Sequence, residues 1–253
     1  MTCVLLMSIV RASSQQTDDL IQFPTGPLLR PAPEFSEWTI THSYSDEMTP
    51  AAGSASKANV PREIAKLPLL RPRRTITTKT GGTVRIVIID LAGKTTEKWF
   101  IDGVQFTKPD GSDVWYGANK AVAAGILPDA YYSAPLPASG FQDLDWIAEG
   151  NYAGAIQLGD IKCLVFVPGG MTPDDWKDAK KRKAKLDSAE KVAYIDADSR
   201  LPVALRILGE VRQFQFTNPA PTQMLAPPPD LAEQIKKGKE AIANLLRSAA
   251  RPY

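Results

Sequence analysis

The sequence predicts an α+β fold dominated by an antiparallel sheet of about ten strands, and three observations predict it. Short runs rich in Val, Ile, Thr, Tyr, Phe and Trp recur from Phe35 onward, parted by turn formers roughly every ten residues. Between Val192 and Phe216 three such runs are joined by two tight turns. Helical patterning is confined to a few stretches, Gly117–Ile126, Thr172–Leu186 and Asp230–Ser248.

The 253 residues suit one large sheet domain and are ample for a core. Met1–Val10 is apolar but too short to span a bilayer, and Val10-Arg11-Ala12 followed by polar Ser13–Gln16 reads as the end of a secretory signal peptide cut after Ala12. The competing reading is an N-terminal arm. With the signal removed, Cys163 has no cysteine partner within the chain, because the other cysteine is Cys3. Cys3 lacks a Leu-x-x-Cys context, so no lipid anchor is expected. Residues 13–34 form a Pro-rich arm, 35–220 the sheet domain, and 221–253 a Pro-rich crossing and a terminal helix.

Phe35–Tyr44 is the first expected strand, with Trp38 and Ile40 on one face. Asp46–Asn59, rich in Ala, Ser and Gly, is an expected loop. Thr75–Lys79 and Thr83–Asp90 flank Thr80-Gly81-Gly82, a hairpin loop. Thr95–Ile101, Val104–Thr107 and Asp113–Tyr116 follow across Asp-Gly and Gly-containing turns. Val84, Ile86 and Ile88 share a face, and Val87 and Ile89 make the opposite face apolar as well, so both faces are expected to be covered. Phe141–Ile147, Tyr152–Leu158 and Ile161–Val167 are the next expected strands. Thr172 as N-cap, Pro173 at the first helical position and Asp174-Asp175 in the first turn start a helix to Leu186. In the final meander Val203, Leu205 and Ile207 share a face, Gly209-Glu210 is the hairpin signal, and Phe214 and Phe216 point the same way.

Several function classes lose ground on composition. Thirty basic against twenty-eight acidic residues leave a net charge of +2, too balanced for a general nucleic-acid binder. His42 is the only histidine, set on a strand face that looks exposed beside Thr41 and Ser43, so a catalytic triad would have to use it. No Cys/His cluster has zinc spacing, and no phosphate-binding glycine motif is present. Gly169-Gly170 is a faint anion site but reads better as a turn. Asp143-x-Asp145 and Asp196-x-Asp198 could do glycosidic acid–base work, although aspartates at turns usually serve the turn. No cofactor is expected.

The run Tyr194-Ile195-Asp196, Ser199-Arg200-Leu201-Pro202-Val203 and Phe214-Gln215-Phe216, with the W-x-I strand at Trp38, resembles the LolA/LolB-like superfamily of periplasmic lipoprotein carriers. The likeness is specific over about 25 residues and architectural elsewhere. It implies a half-open β-barrel: a strongly curved antiparallel sheet closed on its concave side by helices and loops, around an apolar cavity for acyl chains. The family has no catalytic motif to carry over.

Pattern and resemblance together lead to a non-enzymatic periplasmic or secreted protein that holds a lipid or lipoprotein acyl chain in the sheet's concave face. The expected lining is Val84, Ile86, Ile88, Trp99, Ile101, Phe166, Val203, Leu205 and Phe214. Lys177, Lys180, Lys181, Arg182, Lys183 and Lys185 form a basic helix suited to an anionic membrane surface or an acidic partner. The alternative is an envelope interaction or scaffold module whose core is filled.

Overall fold

The computed structural model describes residues 24–45, 71–117 and 136–249. Eleven strands build one sheet: β1 (Phe35–Tyr44), β2 (Pro72–Thr80), β3 (Thr83–Asp90), β4 (Thr95–Ile101), β5 (Val104–Lys108), β6 (Tyr116–Gly117), β7 (Tyr152–Leu158), β8 (Ile161–Phe166), β9 (Lys191–Asp196), β10 (Pro202–Ile207) and β11 (Glu210–Phe216). Their spatial order is β6-β5-β4-β3-β2-β1-β11-β10-β9-β8-β7. The chain thus makes two meanders, and among the described residues their only strand pairing is the antiparallel seam between β1 and β11, from Trp38–Phe216 to Tyr44–Glu210. The sheet is not closed: β6 and β7 are its edges. Three helices accompany it among the described residues: α1 (Pro173–Lys177), α2 (Ala179–Ser188) and α3 (Pro229–Ala249).

Turn chemistry sets the registers. Asp102 (φ 53°) and Gly103 (φ 74°) both lie in the left-handed region, the geometry of a type I′ turn that matches strand twist, and they place Ile101 opposite Val104. Leu208 (φ 47°) and Gly209 (φ 78°) do the same between Ile207 and Glu210. This second hairpin therefore turns one residue earlier than the expected Gly209-Glu210. Leu208 is well exposed there, since its backbone rather than its side chain serves the turn.

Cross-strand partners share a face, so the registers define two. The Trp38 face runs from Trp38 through Thr77, Ile86 and Lys98 in one direction and through Phe216 in the other. The Trp99 face carries Trp99, Arg85 and Thr78. All three helices lie against the Trp99 face. Trp176 of α1 and Leu186 of α2 pack with Val165 and Val192, while Leu231 and Ile235 of α3 pack with Trp99, Trp115, Ile101 and Phe106. The Trp38 face is instead covered by irregular chain: Leu28, Leu29 and Ala32, together with Leu136 and Phe141–Ile147.

Three expected elements are corrected. Phe141–Ile147 is a turn-rich loop, because Gly140 (φ 79°) and Asp143 (φ 63°) break the extended path, and Phe141 and Leu144 are buried as a pair of plugs. The single helix from Thr172 to Leu186 is two: Asp178 leaves helical geometry (φ −78°, ψ 107°) to cap α2, its carboxylate accepting from the N–H groups of Lys180 and Lys181. The strand expected at Asp113–Tyr116 shrinks to Tyr116–Gly117, since Ser112 and Val114 satisfy each other in a local turn. Residues 1–12, the loop at 46–59 and all but the first residue of the helix expected at 117–126 lie outside the described residues.

Candidate functional site

Six of the nine residues expected to line a cavity share the Trp38 face. Val84, Ile86 and Ile88 cluster with Phe100, whereas Phe166, Leu205 and Phe214 belong to the larger core around Trp38. Trp99 and Ile101 lie on the other face beneath α3, because Val84 pairs with Phe100 and Arg85 with Trp99. Val203 sits at a bulge. Pro202 faces Ile195 and Ala204 faces Tyr194, so Pro202 takes the buried position and Val203 falls between registers.

On the β8–β11 side this face is filled. Phe141 sets its ring edge-on to Trp38 (5.4 Å between centroids), Phe214 (6.2 Å) and Phe216 (6.1 Å), the favoured arrangement for aromatic quadrupoles. On the β2–β4 side Val84, Ile86 and Phe100 are buried too, at 8%, 7% and 9% exposure, but the described cover is sparser. Among the described residues the partly buried hydrophobics packed on Val84, Ile86 and Phe100 are Ile88, from the same strand, and Leu136. Beside them lies a void of about 110 Å³, lined by Trp38, Lys79, Val84, Leu136, Pro137, Ala138 and Gly140. Gly140 is required there: a methyl at its Cα would lie 3.1 Å from Ala32 Cβ, and its φ is positive.

Two cations border this apolar patch. Lys79 Nζ donates to the Ala32 carbonyl at 2.9 Å. Lys98, opposite Ile86, is pulled below the usual lysine range by burial. A broader hollow of about 480 Å³, formed by Asp230, Glu233, Gln234, Lys237, Gly238 and Ala241, lies open to solvent along α3.

His42 is buried, contrary to the expected exposure, because its own face is the covered one. Nδ1 lies 2.6 Å from Glu210 Oε1 and Nε2 lies 3.0 Å from Thr75 Oγ1. Arg212 donates to both Glu210 oxygens at 3.0 Å and to Asp143 Oδ2 at 2.6 Å. Burial pushes the Glu210 carboxyl upward, but hydrogen bonds from His42 and Arg212 and the Arg212 charge override it and hold the group at about 2. Burial and the Glu210 charge push Tyr44 up to about 12. The order Thr75–His42–Glu210 has the connectivity of a hydroxyl–base–carboxylate relay. Arg212 already neutralises the carboxylate bidentately, which blunts its support of an imidazolium, so the cluster is suited to cross-linking β1, β2, β11 and the Phe141 loop.

The remaining candidates are absorbed locally. Asp196 accepts from the N–H groups of Asp198 and Ser199, Asp143 is held by Arg212, and Asp145 is exposed. Gly169 N–H donates to Asn151 Oδ1 and Gly170 N–H to the Val167 carbonyl, which makes the pair a turn. Burial and the charge of Asp196 push the Cys163 thiol up to about 12, so it is a protonated core group. No metal-binding cluster of carboxylate, His or Cys groups occurs among the described residues. In the basic stretch Arg182 lies over Trp176 and donates to its carbonyl, Lys181 pairs with Asp175 and Lys183 with Asp187. Lys177, Lys180 and Lys185 are exposed.

The class of protein defined here is an open, all-antiparallel sheet with helices on one face and irregular chain on the other. Compared with protein-family models, curated proteins and solved structures, the chain gives no match in any of the three. The His42 cluster and the two cations beside the patch went unread in the sequence. Strand alternation could have placed Lys79 near Val84, but nothing local pairs His42 with a carboxylate 168 residues away.

Proposed function

We propose that this protein is a non-enzymatic binder of a lipid or lipoprotein acyl chain, held on the Trp38 face against Val84, Ile86, Ile88 and Phe100, and that it works in the periplasm or outside the cell. The observation that carries this reading is the void that remains beside that buried patch, on a face whose β8–β11 side is filled by aromatic packing. At about 110 Å³ the void is below the roughly 300 Å³ of ordinary ligand pockets, so the ligand enters as Leu136–Gly140 swings away. Binding draws on apolar burial at roughly 25 cal/mol per Å². The open antiparallel sheet is compatible with the half-open barrel that the resemblance to the LolA/LolB-like carriers implies. None of the described helices is long and apolar enough to cross a membrane.

Native mass spectrometry of protein purified from its host envelope, followed by organic extraction, tests this. A reproducible lipid mass that disappears in Ile86→Trp supports the reading. An apo mass with no uptake of a fluorescent fatty acid removes it.

A second reading, an envelope interaction module, is favoured by the aromatic filling of the β8–β11 side and by exposed Lys177, Lys180 and Lys185. Its measurement is sedimentation with phosphatidylglycerol vesicles. Loss of binding in the triple Lys→Glu variant, with ligand uptake absent, would put this reading first. Removing the terminal helix is not a clean test of it, since Leu231 is fully buried against Trp99 and Trp115.

A further inference from the structure

Lys79 carries a charge into the apolar patch. Its ammonium meets only a neutral oxygen, the Ala32 carbonyl at 2.9 Å, and no carboxylate pairs with it among the described residues. It stands opposite Val84 in the β2–β3 ladder, lines the void directly and is half-buried. An ammonium with one hydrogen-bond partner keeps two donors to offer. Around it Trp38, Val84, Leu136, Pro137 and Ala138 are apolar side chains, so an anion arriving there would be partly desolvated, where a charge-assisted hydrogen bond is strongest.

We propose that Lys79 is the headgroup anchor of the site and that the ligand is a single-chain anionic amphiphile with a carboxylate at one end. The carboxylate accepts from Lys79 Nζ, beside or in place of the Ala32 carbonyl, while the alkyl chain enters the void between Trp38, Val84 and Leu136. This rests on the acyl-binding reading above and narrows it from any acyl chain to a free acid. No bond forms or breaks.

Calorimetric titration of the full chain with decanoate and with decanol separates the two claims, because the ligands share a chain and differ in charge. The expected result is decanoate binding at least tenfold tighter than decanol at neutral pH. Lys79→Gln should weaken decanoate about tenfold and leave decanol unchanged, while Lys79→Arg retains most of the preference. Equal affinities for both ligands, unaltered in Lys79→Gln, would overturn the anchor while leaving acyl binding in place. Binding of neither ligand to the unaltered protein would overturn both. Unchanged decanol binding by Lys79→Gln also shows that this variant is folded.

Discussion

The two halves of the Trp38 face are built from the same kind of strand, in one ladder, and differ in what covers them. Toward β8–β11, Phe141 and Leu144, each 1% exposed, wedge between Trp38, Phe214, Phe216 and Leu205. Toward β2–β5, apolar Val84, Ile86 and Phe100 are interspersed with buried Thr77, Gln105 and Thr107 and with Lys79 and Lys98. Lys79 stays half-exposed and donates to the Ala32 carbonyl, which offsets part of the cost of drawing its charge out of water. The contrast teaches that the cover, more than the strand pattern, decides how tightly each part of a sheet is filled.

The contrast breaks most plainly at the plug. Phe141→Ala should lose about 3–5 kcal/mol, the usual cost of deleting a buried aromatic, seen as a fall in the urea midpoint. A loss below about 1 kcal/mol would show that the β8–β11 half is no better filled than its neighbour. Overpacking the same half comes next. Ala193→Val adds bulk at a fully buried position and should cost about 1–3 kcal/mol. A smaller effect tests the polar tie between sheet and plug, running from Glu210 through Arg212 to Asp143. The folded Glu210 carboxyl, at about 2, lies below its ordinary 4.5. Its contribution is therefore complete above the ordinary value and drains away as pH falls toward the folded one. Denaturant titrations across that acid range should show stability falling, and Glu210→Gln should remove that part of the slope. An identical slope in the variant would mean the tie does not hold the plug. Smallest of all, Val84→Ile adds a methylene beside the void and should change stability by less than about 1 kcal/mol; a loss like that of Ala193→Val would erase the distinction between the halves.

The hairpins were legible because their signals are local. Asp102-Gly103 and the Gly81-Gly82 turn carry their own backbone preferences, and the strands on either side follow. The start of α1 was legible for the same reason, down to the Thr172 hydroxyl accepting from the Asp175 N–H. The failures are of another kind. Phe141–Ile147 has the apolar content of a strand, and only its fit into a pre-formed aromatic socket makes it a plug. Val203 lost its expected face to a bulge that no residue type announces. Trp99 and Ile101 were assigned to the wrong company because each strand's alternation is visible alone, while the phase between β3 and β4 is set by the Asp90–Thr95 connection, where the Asp90 carboxylate accepts from the Lys94 N–H. His42 was misjudged since burial on β1 depends on β11 and on the loop bearing Asp143, both remote in sequence.

The seam between β1 and β11 has a kinetic consequence. Most neighbouring strands within each meander can zip as hairpins, whose closure takes microseconds, whereas the seam joins residues such as His42 and Glu210, 168 positions apart. Entropy of closing so long a loop delays that pairing until both meanders can reward it. Cross-strand substitutions along it, at Thr39 and Gln215 for example, should then accelerate unfolding while leaving the refolding rate nearly untouched, so the centre of the finished sheet is the last part of it to be made.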